Sequence, residues 1–178
     1  VATVTGTAAE LNTLIGNEGT SGDKVNLAAD VAITVSGTSA SAAHLNTVDG
    51  GTTGLITATT LTTITGTASD LNTLITNEAD SGNGVNLDSD FKLTVSAGSA
   101  SASHLNTLNN KTTGLITATA VTALTGTAAD INTLVGNEGS SGNAIDLDTD
   151  YTATITDTNL AASVLNTLNG NVPGLVTA

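Results

Sequence analysis

The chain has 178 residues and carries 16 acidic side chains against three lysines and no arginine, for a net charge of -13. That balance excludes nucleic-acid binding, which rests on clustered Lys and Arg, and makes an anionic membrane repulsive. With no Cys, Met or Trp and one each of Phe and Tyr, disulfides and thiolate metal sites are excluded, and the core is left to Leu, Ile, Val, Ala and Thr methyl groups. No apolar run approaches the length needed to span a bilayer.

The sequence recurs at a fixed period without insertions: Thr-Gly-Thr-Ala begins at Thr5, Thr65 and Thr125. Leu-Asn-Thr stands at Leu11, Leu45, Leu71, Leu105 and Leu165, with Ile-Asn-Thr at Ile131, so a longer and a shorter spacing alternate. The chain therefore divides into repeats 1–60, 61–120 and 121–178, each made of two unequal half-repeats, in one array spanning 1–178. Such an array buries each unit against its neighbours. At about 25 cal/mol per Å² a small-residue core gains little per residue, so stability is expected from interfaces summed along the array. Gly174 to Ala178 match Gly54 to Ala58, and Val1 to Thr5 match Leu61 to Thr65. We read the chain as a window on a longer array; a three-repeat protein that stacks head to tail is the alternative.

In chain order, each longer half opens on a Thr-rich strand such as Leu61 to Thr65 and turns at Gly66. A helix is expected next: Thr67 is a good N-cap, Asp70 lies near the positive helix end, and Ala68, Leu71, Leu74 and Ile75 share a face. Thr7 with Glu10 matches a capping box. Gly16 and Gly136 are expected to stop their helices, with Thr76 doing so without a glycine. A polar loop containing Glu18 and Asp23, then Glu78 and Asp80, then Glu138 leads into an eleven-residue alternation from Val25, Val85 and Ile145. That period of two predicts strands with one buried and one wet face. The shorter half repeats the helix from Ser41 and Ser101, with Ala161 in the third copy, before strands at Leu55 and its equivalents.

Length selects the shape. An eleven-residue strand would span roughly 36 Å, whereas a nine-residue helix returns only about 14 Å. The strand is therefore expected to bend near Ala29, Ser89 and Thr149. The predicted fold is an α/β repeat solenoid of stacked right-handed coils of about 30 residues, each with two short parallel strands and one short helix. Pairs of coils make the 60-residue repeat.

Asn12, Asn46, Asn72, Asn106, Asn132 and Asn166 recur in all six units, and a structural ladder satisfying backbone groups is the expected role. Exposed amides that bind glycan are the alternative. His44 and His104 have Val164 as their third equivalent and no nucleophile nearby in sequence, so no catalytic site is expected. Asp88, Asp90, Asp148 and Asp150, read on the wet side of their strands, join Glu78 and Glu138 as candidate Ca²⁺ ligands. No calcium nonapeptide or EF-hand loop accompanies them, and a solvated acidic face is the simpler reading. No other cofactor is expected. Thr57, Thr59, Thr117 and Thr119 alternate along their strands, as in ice-binding solenoids or as good exposed strand residues.

Thr-Gly-Thr-Ala-Ala-Glu-Leu-Asn at Thr5, Thr-Gly-Thr-Ala-Ser-Asp-Leu-Asn at Thr65 and Gly-Leu-Ile-Thr-Ala at Gly54 resemble repeats of very large secreted or surface proteins of bacteria, especially cyanobacteria. A related phrase occurs in phage tail-fibre repeats. The resemblance implies an extracellular fibrous role and carries no site residues. The expected protein is not an enzyme but a structural segment of an extracellular fibre, surface layer, matrix or adhesin stalk. Its partners would be copies of itself, head to tail or side by side, with a cell surface or glycan as a further candidate. A Ca²⁺-stabilised adhesive module is the alternative.

Overall fold

A computed structural model describes residues 3–79 and 81–178. Val1, Ala2 and the loop residue Asp80 lie outside the described residues. The first repeat forms β1 (Thr3–Gly6), α1 (Ala8–Gly16), β2 (Ala32–Val35), β3 (Ser39–Ser41), α2 (Ala42–Gly50) and β4 (Leu55–Thr57). The second forms β5 (Thr63–Gly66), α3 (Ala68–Thr76), β6 (Gly84–Asn86), β7 (Lys92–Val95), β8 (Gly98–Ser101), α4 (Ala102–Asn109) and β9 (Ile116–Ala118). The third forms β10 (Val121–Gly126), α5 (Ala128–Gly136), β11 (Ile145–Leu147), β12 (Thr152–Ile155), α6 (Ala162–Asn171) and β13 (Val176–Thr177).

The strands join three parallel sheets that do not coincide with the repeats. The middle sheet has the order β3-β5-β7-β9-β11. Its first strand comes from the first repeat, its last from the third and three from the second. The flanking sheets, β1-β2-β4-β6 and β8-β10-β12-β13, follow the same order with one outer strand fewer. Along a sheet, a longer step in sequence, from Val4 to Ile33 opposite it, alternates with a shorter one, from Ile33 to Ile56. Each helix packs on the next in sequence. One hydrophobic cluster runs from Ala8 to Val172. Both aromatic residues, Phe91 and Tyr151, are fully buried at equivalent positions that Val31 fills in the first repeat.

Local rules set the helices. Thr7, Thr67 and Thr127 hold β-region N-caps and accept from the N–H three residues on, at 3.3, 3.1 and 3.1 Å. The Thr7–Glu10 capping box is complete, the Glu10 carboxylate accepting from the Thr7 N–H at 2.8 Å. The bond from the Thr7 N–H, then that from its hydroxyl, hold the Glu10 carboxyl below its ordinary value. The helices end at Gly16 and Gly136 as expected, but no glycine adopts a left-handed cap there: the caps are Asn17, Asn77 and Asn137 with negative φ. Thr76 therefore ends α3 at the same place as Gly16 ends α1.

The eleven-residue alternations break at the expected places. In the second and third repeats each is two short strands in different sheets, β6 and β7, then β11 and β12. The chain turns between them at Ser89-Asp90 and Thr149-Asp150, and at Ala29-Asp30 in the first repeat. Alternate burial persists across the turns of the second and third repeats, as at Val85, Leu87, Phe91, Leu93 and Val95.

The return from helix to strand is latched. The buried Thr112 hydroxyl donates to the Phe91 carbonyl and accepts from the Gly114 N–H at 3.0 Å; Thr52 does the same to Val31 at 2.6 Å and from Gly54 at 2.9 Å. In the third repeat Val172 is buried instead, and the Gly174 N–H donates straight to the Tyr151 carbonyl at 3.1 Å. A Cβ at Gly114 would lie 2.4 Å from the Phe91 carbonyl oxygen, and at Gly54 2.4 Å from that of Val31. Only glycine lets the two backbones approach so closely. Gly114→Ala should thus cost about 2–3 kcal/mol and lower Tm by roughly 4–12 °C. Gly136→Ala, whose Cβ meets nothing within 4 Å, should leave Tm unchanged or slightly higher. Thermal melts followed by circular dichroism compare the two.

Candidate functional site

The Leu-Asn-Thr phrase divides its work three ways. Leu11, Leu45, Leu71, Leu105 and Ile131 are buried between helix and sheets. The Thr hydroxyls of all six copies donate back to the carbonyl four residues earlier, from Thr13 to Ala9 at 3.0 Å through Thr167 to Ser163 at 3.0 Å. The amides differ by half-repeat. Asn46 on α2 donates to the Asp70 carbonyl in the first turn of α3, and Asn106 on α4 to the Asp130 carbonyl of α5, each at 2.9 Å. Their Oδ1 atoms are buried without a partner. Asn12, Asn72 and Asn132 are half-buried at the same place on the odd-numbered helices, and Asn166 is exposed on α6.

The acidic residues are dispersed. Asp88, Asp90, Asp148 and Asp150 do not stand on the wet side of strands; they occupy or flank the turns between β6 and β7 and between β11 and β12. A carboxylate next to a turn can accept the local N–H groups: Asp88 accepts from Ser89 at 2.7 Å and Asp148 from the Asp150 N–H at 3.3 Å. A hydrogen bond to the Asp148 side chain, then the repulsion of its charge, pushes the exposed Asp150 carboxyl above its ordinary value. Glu78 and Glu138 lie after α3 and α5, where their backbones bridge to Val85 and Ile145. Among the described residues no group of three or more His, Cys, Asp or Glu side chains is placed to hold a metal ion.

Two further features repeat. One hydroxyl rank crosses each sheet's outer face: Thr5-Thr34-Thr57, Ser41-Thr65-Thr94-Thr117 and Ser101-Thr125-Thr154-Thr177. Asn86 and Asp146 end the first two ranks. A shallow polar cleft at the C-terminal ends of α2 and α3 is lined by Asp49, Thr76, Asn77, Glu78, Asn83 and Gly84. There the Asn77 amide donates to Asp49 Oδ2 at 2.8 Å, while Asp49 Oδ1 is buried without a partner. Burial pushes the Asp49 carboxyl up, against the opposing pull of the Asn77 bond. In the next unit the uncharged Asn109 takes this position; with its amide nitrogen facing the acceptors, Asn143 donates to Asn109 Oδ1 at 3.2 Å.

Sequence reasoning missed the Thr52 and Thr112 latches, although Thr-Thr-Gly at Thr52 and Thr112 recurs at the repeat period. It also missed Asp157, whose carboxylate accepts from the Ala128 N–H at 2.7 Å and so faces the positive end of α5. Its equivalents, Gly37 and Ala97, gave no periodic signal. The buried Tyr151 takes the place of Phe91 in the third repeat. Its hydroxyl is buried without a partner, and burial, then the Glu138 carboxylate, push it up to about 12.

No protein-family model matches the chain, and no curated protein or solved structure matches it.

Two outcomes follow from this charge geometry. The raised Asp49 carboxyl binds protons more readily folded than unfolded, so its contribution is best at low pH and is lost as pH rises through the raised value. Asp49→Asn should therefore raise Tm by about 1–2 °C at pH 7, a gain that closes as pH falls toward about 3.9; melts across pH measure it. With the carboxylates dispersed, melting should be the same in millimolar Ca²⁺ and in chelator, whereas a shift of many degrees would restore a calcium site.

Proposed function

We propose that this chain is a structural segment of an extracellular fibre, surface layer, matrix or adhesin stalk that extends and associates with itself. In this reading it is an α/β solenoid: each coil runs strand, corner, strand and helix, and two coils of unequal loop length make one 60-residue repeat. The observation that carries it is the middle sheet, which takes strands from three successive repeats. No repeat closes a sheet alone, so folding and elongation are one process. Parallel backbone ladders run from each coil to the next and carry tension along the axis. The acidic turns keep a long polymer soluble, and the scarcity of Lys and Arg leaves few sites for trypsin-like proteases. The surface features repeat along the chain, as suits a scaffold and not an enzyme. No helix among the described residues is long and apolar enough to cross a membrane.

A fragment of residues 61–120 tests the reading. It should give a random-coil circular dichroism spectrum, while the whole chain melts in a cooperative transition. A fragment that folds alone, with a melt like that of the whole, would contradict it.

A further inference from the structure

Asparagine followed by glycine is the sequence in which a side-chain amide is lost most readily, because no side chain on the glycine hinders its backbone nitrogen from reaching the amide carbon. The chain contains this pair twice, at Asn83-Gly84 and Asn169-Gly170. The fold treats the two differently. Asn169 and Gly170 lie within α6, where the helical backbone commits each interior N–H to the carbonyl four residues earlier and turns the nitrogen away from the preceding side chain. Asn83 is exposed in the loop before β6. Gly84 has φ of +145°, a backbone that glycine alone adopts readily, and a Cβ there would lie 2.5 Å from the Asn77 carbonyl oxygen. The loop conformation thus demands the residue that makes Asn83 reactive.

The equivalent pair in the third repeat is protected. There Asn143 precedes Ala144. With its amide nitrogen facing the acceptors, Asn143 donates to Asn109 Oδ1 and to the Thr112 carbonyl, each at 3.2 Å, and the Ala144 N–H donates to the Gly142 carbonyl at 3.0 Å. The Asn83 side chain makes no hydrogen bond to a described residue. In the first repeat the position is already a carboxylate, Asp23, followed by Lys24.

We propose that Asn83 is a site of spontaneous deamidation whose product loosens the joint between the first and second repeats. The Gly84 nitrogen passes its proton to water and attacks Asn83 Cγ. The Cγ–Nδ2 bond then breaks, Nδ2 takes up a proton and leaves as ammonia, and a cyclic imide remains. Water opens the imide at one carbonyl to give aspartate, or at the other to give isoaspartate, whose main chain runs through the former side chain. Both products put a new carboxylate into the cleft that Asn83 lines with Asp49 and Glu78, where Asp49 Oδ1 is already buried without a partner. Like charges so placed repel. Isoaspartate also adds a carbon to the backbone just before Gly84, the residue that β6 sets opposite Leu55 of β4. Because β4 belongs to the first repeat and β6 to the second, the damage falls on a contact between repeats. This chemistry depends on that pairing alone and stands whether or not the chain is a fibre segment.

The test is to age the 178-residue chain in mildly alkaline buffer, unfold it, cut it after lysine and weigh the peptides by mass spectrometry. Cleavage after Lys24, Lys92 and Lys111 puts Asn83 in one peptide and Asn143 with Asn169 in another, and fragmentation locates the change. Chain aged folded should gain the amide-to-acid mass at Asn83 and keep Asn143 and Asn169 intact, whereas chain aged in urea should gain it at Asn83 and Asn169 alike. The aged wild type should melt about 2–4 °C below fresh protein and exchange amide hydrogens faster in β4 and β6. Asn83→Gln aged beside it should change in neither respect, and fresh Asn83→Asp measures the share due to the carboxylate alone. Asn169 reacting as fast as Asn83 in the folded chain, or Asn83 surviving there while it reacts in urea, would overturn the site. Deamidation at Asn83 with melting and exchange unchanged would overturn the loosening of the joint.

Discussion

The structure depends on parallel backbone pairing whose two alternating steps in sequence do not add up to one repeat. Val4 lies opposite Ile33, which lies opposite Ile56, so two steps along a sheet stop short of Ile64, the equivalent of Val4 in the next repeat. Ile64 sits instead in the next sheet. Each repeat therefore hands its strands forward. Sheets built this way are never complete within one repeat, and every turn of the chain is committed to a neighbour.

That commitment explains the choice of side chains. Where the chain returns to a sheet, glycine at Gly54, Gly114 and Gly174 lets one backbone approach the carbonyl before the next strand, and a buried threonine satisfies that carbonyl in the first two repeats. Unsatisfied backbone groups in a thin core would be costly, and these positions receive a hydroxyl in preference to a larger apolar group. Phe91 and Tyr151 supply the largest buried side chains at the start of β7 and β12. The exposed faces are under looser control. The hydroxyl ranks follow strand alternation, and Asp88 and Asp148 lie at turns where N–H groups need acceptors.

Much of this was legible in the sequence because period and capping are local signals. Thr7 with Glu10, the buried face of α3 and the breaks at Ser89 and Thr149 follow from spacing and chain length. The helix ends at Gly16 as its place in the sequence suggests, but Asn17, with negative φ, caps it without a left-handed residue. What the alternation did not reveal is that the two short strands join different sheets, because alternate burial survives the turn: Leu87 and Phe91 both face the core although different sheets hold the strands beside them. The carboxylates were misplaced for the same reason, since Asp88 and Asp90 keep strand-like parity through the turn. Asp49 and Asn77 meet across a long stretch of chain, and no local pattern announces a contact between the ends of two helices.

The handing-on of strands between repeats is the central claim, and the absence of Cys makes it directly accessible. Cysteine pairs placed at Ser41 and Thr65, or at Thr34 and Thr94, can be compared for cross-linking by a short bifunctional thiol reagent. Ser41 of the first repeat and Thr65 of the second are neighbours across β3 and β5, whereas Thr34 and Thr94 are repeat equivalents in different sheets. Rapid cross-linking within one chain for the first pair and none for the second is the predicted result. Cross-linking of the second pair without the first would mean that repeats stack in simple register, and would contradict the account.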